Sequence, residues 1–551
     1  MYVARASWPS SNGKTYQSIY LRESYRDGKQ VRKRDIANLT HCDPQEIAAI
    51  ELALQFKGNL AALGSLDRIE LSQGPSVGAV WAVVETARRL GIEQALGREF
   101  AGRLALWQVA ARVLEQGSRL SAVRLAQVHA ACDALGIRRG FDENDLYANL
   151  GWLSEHQESI EQRLFAQRRG AQKPELFLYD VTSSYLEGED NAYAAYGYNR
   201  DGKKGKKQIV IGLLCDEQGT PVSTEVFRGN TQDPKTFAAQ VKKASERFGC
   251  ERVTFVGDRG MIKSGPVEDL AQAGFHYITA ITKPQIDTLI EARLIQMDLF
   301  AAELCEVEQA GVRYVLRRNP LRAEQLAASR ADKQAKIERL CQERNRYLEQ
   351  HPRAQAATAE RTLRAKIMQL KVQQWLQVEV EGRNLKLTVN QPALEEASRL
   401  DGCYVIKTDL PQSAASRQVI HDRYKDLTEV EQAFRTCKTT HLEMRPVHVR
   451  TAAHTRGHVL VVMLAYLIRR ELSRAWIAFD VTVEEGLHQL QTLCATEVKV
   501  QGGGSCLRIP MPVKAAAALL KALKISLPEA LPHTGTPVVT RKKLPARRKP
   551  R

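Results

Sequence analysis

The chain has 551 residues, 44% of them hydrophobic, enough for about three or four domains with substantial cores. Lys and Arg number 80 against 63 Asp and Glu, and the net charge of +17 favours a polyanionic partner, nucleic acid before a membrane surface. Ten cysteines without a CxxC pair argue against zinc fingers and a disulfide scaffold, and the opening MYVARASWPSSNGK lacks a secretion signal's apolar run, so a reduced cytoplasmic setting is expected.

Residues 2–38 predict two or three strands: YVARAS, KTYQSIYLRESYR and KQVRKRDIANL, with a hairpin turn at Asp27-Gly28. Arg22, Arg26, Lys29, Arg32, Lys33 and Arg34 make this ribbon, assigned to 1–40, basic enough to lie on phosphates or simply to face water. A helical region over 41–170 starts at an Asp43 N-cap followed by Pro44, with helices expected near 76–90, 101–116, 121–134 and 154–168. Its short Leu-Gly-Ile turns suit either a DNA-reading helix-turn-helix or a bundle that serves only as scaffold.

Over 171–285 the period changes to strands. LFLYDVTSSYLEG is followed by a Lys-rich loop, then by QIVIGLLCDEQGTPVSTEVFRGN, a hairpin turning at Glu217 to Gly219. A helix from Asp233-Pro234, the strand ERVTFVGD, a second helix and the strand FHYITAIT complete the order β-β-β-α-β-α-β. The predicted class is therefore α/β, a ribonuclease-H-like mixed-sheet core with a large insertion, preceded by a small β ribbon and a helical region. In that topology the first and fourth strands are neighbours, so Asp180 and Asp258 come together. Either acid alone reads as a turn or helix cap, whereas the pair would repel unless bridged by a hard cation such as Mg²⁺.

A third acid lies in HDRYKDLTEVEQAFRTCKTTHLEMRPVHVR. Tyr424, Leu427, Glu431, Phe434, Arg435 and Lys438 fall three or four apart, on one helix face. An acid at the centre of such a face needs a partner, either Arg435 one turn on or a metal held with Asp180 and Asp258.

Together these residues resemble the DDE transposases of bacterial insertion sequences, and more narrowly the superfamily (insertion-sequence four type) with a Tyr-x2-Arg-x3-Glu-x6-Lys signature. Tyr424, Glu431 and Lys438 match its spacing, Asp258-Arg259-Gly260 matches the surroundings of the second acid, and Leu427 stands where the signature has arginine. The resemblance implies that Asp180, Asp258 and Glu431 are catalytic and hold Mg²⁺, with Mn²⁺ as a substitute. It also implies that Arg259, Tyr424, Arg435 and Lys438 contact DNA. The implied partners are double-stranded DNA, as terminal inverted repeats and as target, and a second copy of the chain in a synaptic homodimer, near the bacterial nucleoid and without a membrane. A nuclease that cuts without joining, and a DNA-binding regulator with idle acids, stay open as alternatives.

Between the second and third acids, 286–410 predicts an inserted subdomain: a hairpin at Ala310-Gly311, a long charged helix, a second helix after His351-Pro352, a hairpin at Glu381-Gly382 and a late strand DGCYVIKTDL. The resemblance implies that it contacts transposon-end DNA, and a dimerisation arm is the alternative. Residues 411–500 return to the core, where HVLVVMLAYLI is too short for a bilayer span and predicts a buried helix. His441, His448, His454 and His458 read as core or phosphate-side residues. The extension 501–551 combines a GGGS joint, a short basic amphipathic helix and the tail RKKLPARRKPR, with seven Lys or Arg, read as a mobile polycation.

Overall fold

A computed structural model describes residues 1–9, 15–58, 69–170, 172, 174–188, 190–262, 264–301, 303–439, 442–445, 447–500 and 504–541. The first two glycines of the GGGS joint, the tail after residue 541 and His441 lie outside the described residues.

In chain order, β1 (Tyr2–Pro9), β2 (Thr15–Asp27) and β3 (Gln30–Asn38) precede α1 (Pro44–Gln55) and β4 (Ile69–Ser76). Seven helices follow: α2 (Gly78–Arg89), α3 (Ile92–Leu96), α4 (Phe100–Leu114), α5 (Arg119–Val128), α6 (Ala131–Leu135), α7 (Glu143–Glu155) and α8 (Gln157–Arg169). Then come β5 (Leu176–Tyr185), β6 (Gln208–Asp216), β7 (Pro221–Arg228), α9 (Asp233–Lys242), β8 (Thr254–Gly257), α10 (Ser264–Gln272), β9 (His276–Ala280) and α11 (Lys283–Glu291). The stretch that follows holds β10 (Cys305–Gln309), β11 (Val312–Arg318), α12 (Pro320–Gln350), α13 (Ala356–Leu370), β12 (Leu376–Glu381), β13 (Asn384–Val389), α14 (Gln391–Arg399) and β14 (Cys403–Thr408). Last are α15 (Arg417–Lys425), α16 (Leu427–Lys438), α17 (Ala452–Trp476), α18 (Val483–Gln491), β15 (Cys494–Val500), β16 (Ser505–Arg508), α19 (Lys514–Ala522) and β17 (Ala530–Leu531).

The chain divides into two units. The smaller comprises 1–76, 493–511 and 527–533. It holds the antiparallel ribbon β1-β2-β3 and a second antiparallel sheet in the order β17-β16-β15-β4. Gly28 takes φ 61° in the turn after Asp27, as the hairpin requires. The ribbon is less cationic than its sequence suggests, because cross-strand acids pair with three of its arginines: Arg22 with Asp35 at 2.6 Å, Arg34 with Glu23 at 2.7 Å and Arg32 with Asp27 at 3.1 Å.

The larger unit comprises 77–492, 512–526 and 534–551. Its sheet has eight strands in the order β10-β11-β14-β9-β8-β5-β6-β7. The five from β9 to β7 reproduce the ribonuclease-H-like arrangement: β5, β6 and β7 antiparallel, β8 parallel to β5, and β9 parallel to β8. Both faces of β8 are buried, which is why its sequence is an unbroken apolar run. Phe177, Tyr179, Phe237, Phe255 and Phe275 interlock between the sheet and helices α9 and α10, while α16 packs on β5 and α17 on β7.

The inserted stretch is organised differently from its sequence reading. The hairpin β10-β11 and the late strand β14 extend the main sheet, antiparallel to one another and to β9. Only α12, α13 and the β12-β13 hairpin form a separate body, with its own core of Ile337, Cys341, Leu348, Leu363, Ile367, Trp375 and Leu376 among others. Helix α7, not expected from periodicity, starts at Asp142 with a capping box completed by Asp145. Helix α17 is buried along most of its length, and Gly457 lets it approach α7 so closely that a Cβ there would meet the Leu150 carbonyl oxygen at 2.1 Å. No helix among the described residues is long and apolar enough to cross a membrane.

Candidate active site

Strand register places the first two acids. β5 and β8 run parallel with Tyr179 opposite Gly257, and each strand's next residue is an aspartate. Asp258 follows the end of β8. Asp180 does not end its strand, because the antiparallel partner β6 carries β5 on to Tyr185. Asp180 therefore sits mid-strand, at the level where its parallel neighbour stops and a crevice opens.

That crevice is a cavity of about 410 Å³ lined by Asp180, Asp258 and Glu431, and also by Asp201 and Asp233. The other two carboxylates are neutralised. Asp201 is fully buried between Lys438 Nζ and an Arg445 guanidinium nitrogen, each at 2.5 Å. Asp233 takes both oxygens of its carboxylate to Arg200, at 2.7 and 2.8 Å. Among the described residues no Lys, Arg or His stands within ion-pair distance of Asp180, Asp258 or Glu431.

Asp180 feels the other two unpaired acids. Asp180 is pushed up to about 7, first by burial and then by the charges of Asp258 and Glu431, against a hydrogen bond from the Val181 amide and the more distant Arg200. An all-oxygen set under this mutual repulsion fits a hard divalent cation. As placed, however, no three His, Cys, Asp or Glu among the described residues are close enough to hold one.

Tyr424 and Glu431 reach the site from two helices, because the backbone breaks at Asp426 between α15 and α16. The single helix face expected from spacing is thus split. On α16 the buried positions are Leu427, Val430, Ala433, Phe434, Cys437 and Lys438, while Glu431 is exposed at the flank of that stripe, facing the cavity. It makes no ion pair with Arg435 among the described residues, although Arg435 lines the same cavity. Tyr424 donates its hydroxyl to Asp258 Oδ1 at 3.2 Å, and burial with that carboxylate nearby raises its phenol above the usual range. Arg259, exposed, gives its backbone amide to Asp258 Oδ1 at 2.8 Å.

Lys438 is buried and committed. Besides Asp201 it donates to Thr182 Oγ1 at 3.0 Å. Thr182 is two residues beyond Asp180 on β5, hence on the same strand face. The contact fixes α16, and with it Glu431, against the strand that carries the first acid. Leu427, in the signature's arginine position, fills the core beneath α16.

Arg200, Asp201, Asp233 and Arg445 escaped the sequence reading as site residues. Asp201 emerges from a Lys-rich loop and finds Arg445 244 residues later.

Two family models match the chain. Residues 171–468, more than half the chain, match the transposase DDE domain. Residues 9–61 match the N-terminal domain of IS1634 family transposases. Among solved structures, the piggyBac transposase synaptic complex with hairpin DNA aligns over 76% of this chain and 70% of that one at 9% identity, with a TM-score of 0.34 too low to carry an argument. A search of curated proteins gave no significant match.

Proposed function

The chain belongs to the DDE transposases, whose domain makes it a nuclease and transferase of DNA transposition, and from that premise we propose that it cleaves the ends of its own insertion sequence and joins the freed 3′-OH to target DNA. The observation that carries this reading is the charge pattern of the cavity. Two of its five carboxylates are neutralised by neighbours, and the three left unpaired are Asp180, Asp258 and Glu431. We assign those three as ligands of Mg²⁺, or of Mn²⁺ in its place. When bound, the metal would acidify the attacking hydroxyl and stabilise charge on the leaving oxygen.

The chain's own groups orient the DNA. Arg435, which lines the cavity, and the exposed Arg259, next to Asp258, would hold the scissile strand through its phosphates. Tyr424 would steady Asp258 while its ring packs on sugar or base. Lys438, a DNA contact by its place in the signature, supports the reading as a strut between α16 and β5. The spacing Tyr424, Glu431, Lys438 supports reading the chain as one of the signature-bearing insertion-sequence transposases, with Leu427 as its departure from that signature. Pairing two element ends would require two copies of the chain, a homodimer in the synaptic complex.

The test is cleavage of duplexes carrying the element's terminal inverted repeats in the presence of Mg²⁺. Nicking and strand-transfer products that disappear with Asp258→Asn support the proposal. Cleavage that survives the substitution refutes the assignment of the site, and cleavage without any joined product would make the protein a nuclease only.

A further inference from the structure

Away from the acidic cavity, the larger unit contains a second cavity, of about 250 Å³, with a cationic floor. Arg112 and Arg119 form it, at 6% and 5% exposure. Neither has a carboxylate within ion-pair distance among the described residues. Their hydrogen bonds go to neutral acceptors instead: Arg112 to the Gly117 carbonyl at 2.9 Å, and Arg119 to Gln108 Oε1 at 2.6 Å and His458 Nδ1 at 3.1 Å. His458 is buried too, and accepting from a guanidinium requires its neutral ring.

Burying one guanidinium without a counter-ion is costly, and two sharing a wall also repel. Burial draws Arg112 down to about 10, and burial together with the Arg112 charge draws Arg119 down to about 9. The mouth adds to the same potential. It opens at Ser118, the N-cap of the ten-residue α5, where the peptide dipoles are positive. Among the described residues one acid lines the cavity, Glu443, exposed and beyond ion-pair distance of Arg112.

We propose that this cavity binds a phosphoryl group between Arg112 and Arg119, offered by a DNA backbone phosphodiester, a nucleotide or inorganic phosphate. The anion supplies the counter-charge the floor lacks, and the planar guanidinium forks suit its tetrahedral oxygens. The inference is independent of the assignment of Asp180, Asp258 and Glu431.

The experiment titrates the full chain with inorganic phosphate against sodium chloride at matched ionic strength, read by calorimetry and by thermal midpoint. The wild type should show one saturable site and a rising midpoint. Arg112→Gln should weaken binding by roughly tenfold. Glu443→Gln, an exposed change that removes only competing negative charge, should tighten it several-fold. Absence of saturable binding in the wild type, or affinity unchanged by Glu443→Gln, overturns the proposal; this second variant decides even if Arg112→Gln does not fold. Competition then names the source. Displacement by a random-sequence duplex whose affinity has a salt slope smaller by about one in Arg112→Gln indicates the DNA backbone. Displacement by a deoxynucleoside monophosphate alone indicates a nucleotide, and displacement by neither indicates the inorganic anion.

Discussion

Tyr424 and Asp258 are joined by a hydrogen bond of 3.2 Å across 166 residues of sequence. The bond ties α15 to the end of β8, so the tyrosine holds the carboxylate without needing to react. Tyr424→Phe keeps the ring and deletes the donor. It should lower cleavage by about tenfold, the scale of one neutral-to-charged hydrogen bond, and raise the Mg²⁺ concentration giving half-maximal rate, because the freed carboxylate is less well aimed. Asp258→Asn should abolish cleavage. Measured rates across a Mg²⁺ titration separate the two, and a Tyr424→Phe enzyme as inactive as Asp258→Asn would mean the hydroxyl does more than position.

Asp180 makes stability depend on pH. Its folded-state value is raised to about 7, above the ordinary aspartate value that the unfolded chain shows. The folded protein therefore binds more protons between these values. The stabilisation from the neutral form is complete below the unfolded value and is lost as pH rises through about 7. In chelator at pH 8, Asp180→Asn should melt higher than the wild type, by at most roughly 4 kcal/mol since the group borders a wet cavity. The gap should close by about pH 4. Adding Mg²⁺ at pH 8 should raise the wild-type midpoint and leave Asp180→Asn unmoved. Thermal melts at the two pH values, with and without the ion, check each part; a gap independent of pH would rule out Asp180 as its source.

The strut between Lys438 and Asp201 predicts a different phenotype from the exposed arginines. Asp201→Ala leaves the buried Lys438 and the half-buried Arg445 without their anion and should cost about 3 kcal/mol in denaturant melts. Lys438→Met should cost less, because Arg445 still neutralises Asp201. Arg259→Ala and Arg435→Ala should leave stability within about 0.5 kcal/mol but weaken DNA binding and reduce its salt slope by about one each. If Lys438→Met instead behaved like the arginine variants, its ammonium would have to leave Asp201 for DNA.

The β-β-β-α-β-α-β order was legible because each strand is a separate apolar run bounded by turn residues, and the position of Asp258 because its strand is short and the acid directly follows it. Asp180 was legible as a neighbour of Asp258 but not as a mid-strand residue, since where β5 ends depends on β6, whose pairing no local pattern announces. Glu431 was found by spacing for a partly mistaken reason: counting Tyr424 and Leu427 onto one helix ignored the break at Asp426, and the acid lies beside the apolar stripe rather than within it. The cross-strand pairing that neutralises Arg22, Arg32 and Arg34 depends on register, and the capture of Asp201 by Lys438 and Arg445 on tertiary contact. Neither leaves a trace in composition. The hairpin at Ala310-Gly311 was recognised, yet its membership of the main sheet follows only from β14 lying between β11 and β9.

Two glycines on either side of one helix contact give opposite expectations. Gly457 on α17 faces the backbone of α7, where a Cβ would meet the Leu150 carbonyl oxygen at 2.1 Å, so Gly457→Ala must push the two helices apart. Because α17 also packs on α4 and β7, the shift cannot stay local. The expected loss is about 1–3 kcal/mol, the range for overpacking a filled core. Gly151 is the residue after Leu150 on α7, with ordinary helical φ and open space where an added Cβ would lie, nothing standing within 4 Å of it. There alanine costs no space and reduces the freedom of the unfolded chain, so Gly151→Ala should stabilise by about 0.5–1 kcal/mol. Denaturant midpoints of the two variants, measured side by side, test whether α7 and α17 meet as described. A neutral Gly457→Ala would show that the helices do not approach at that point.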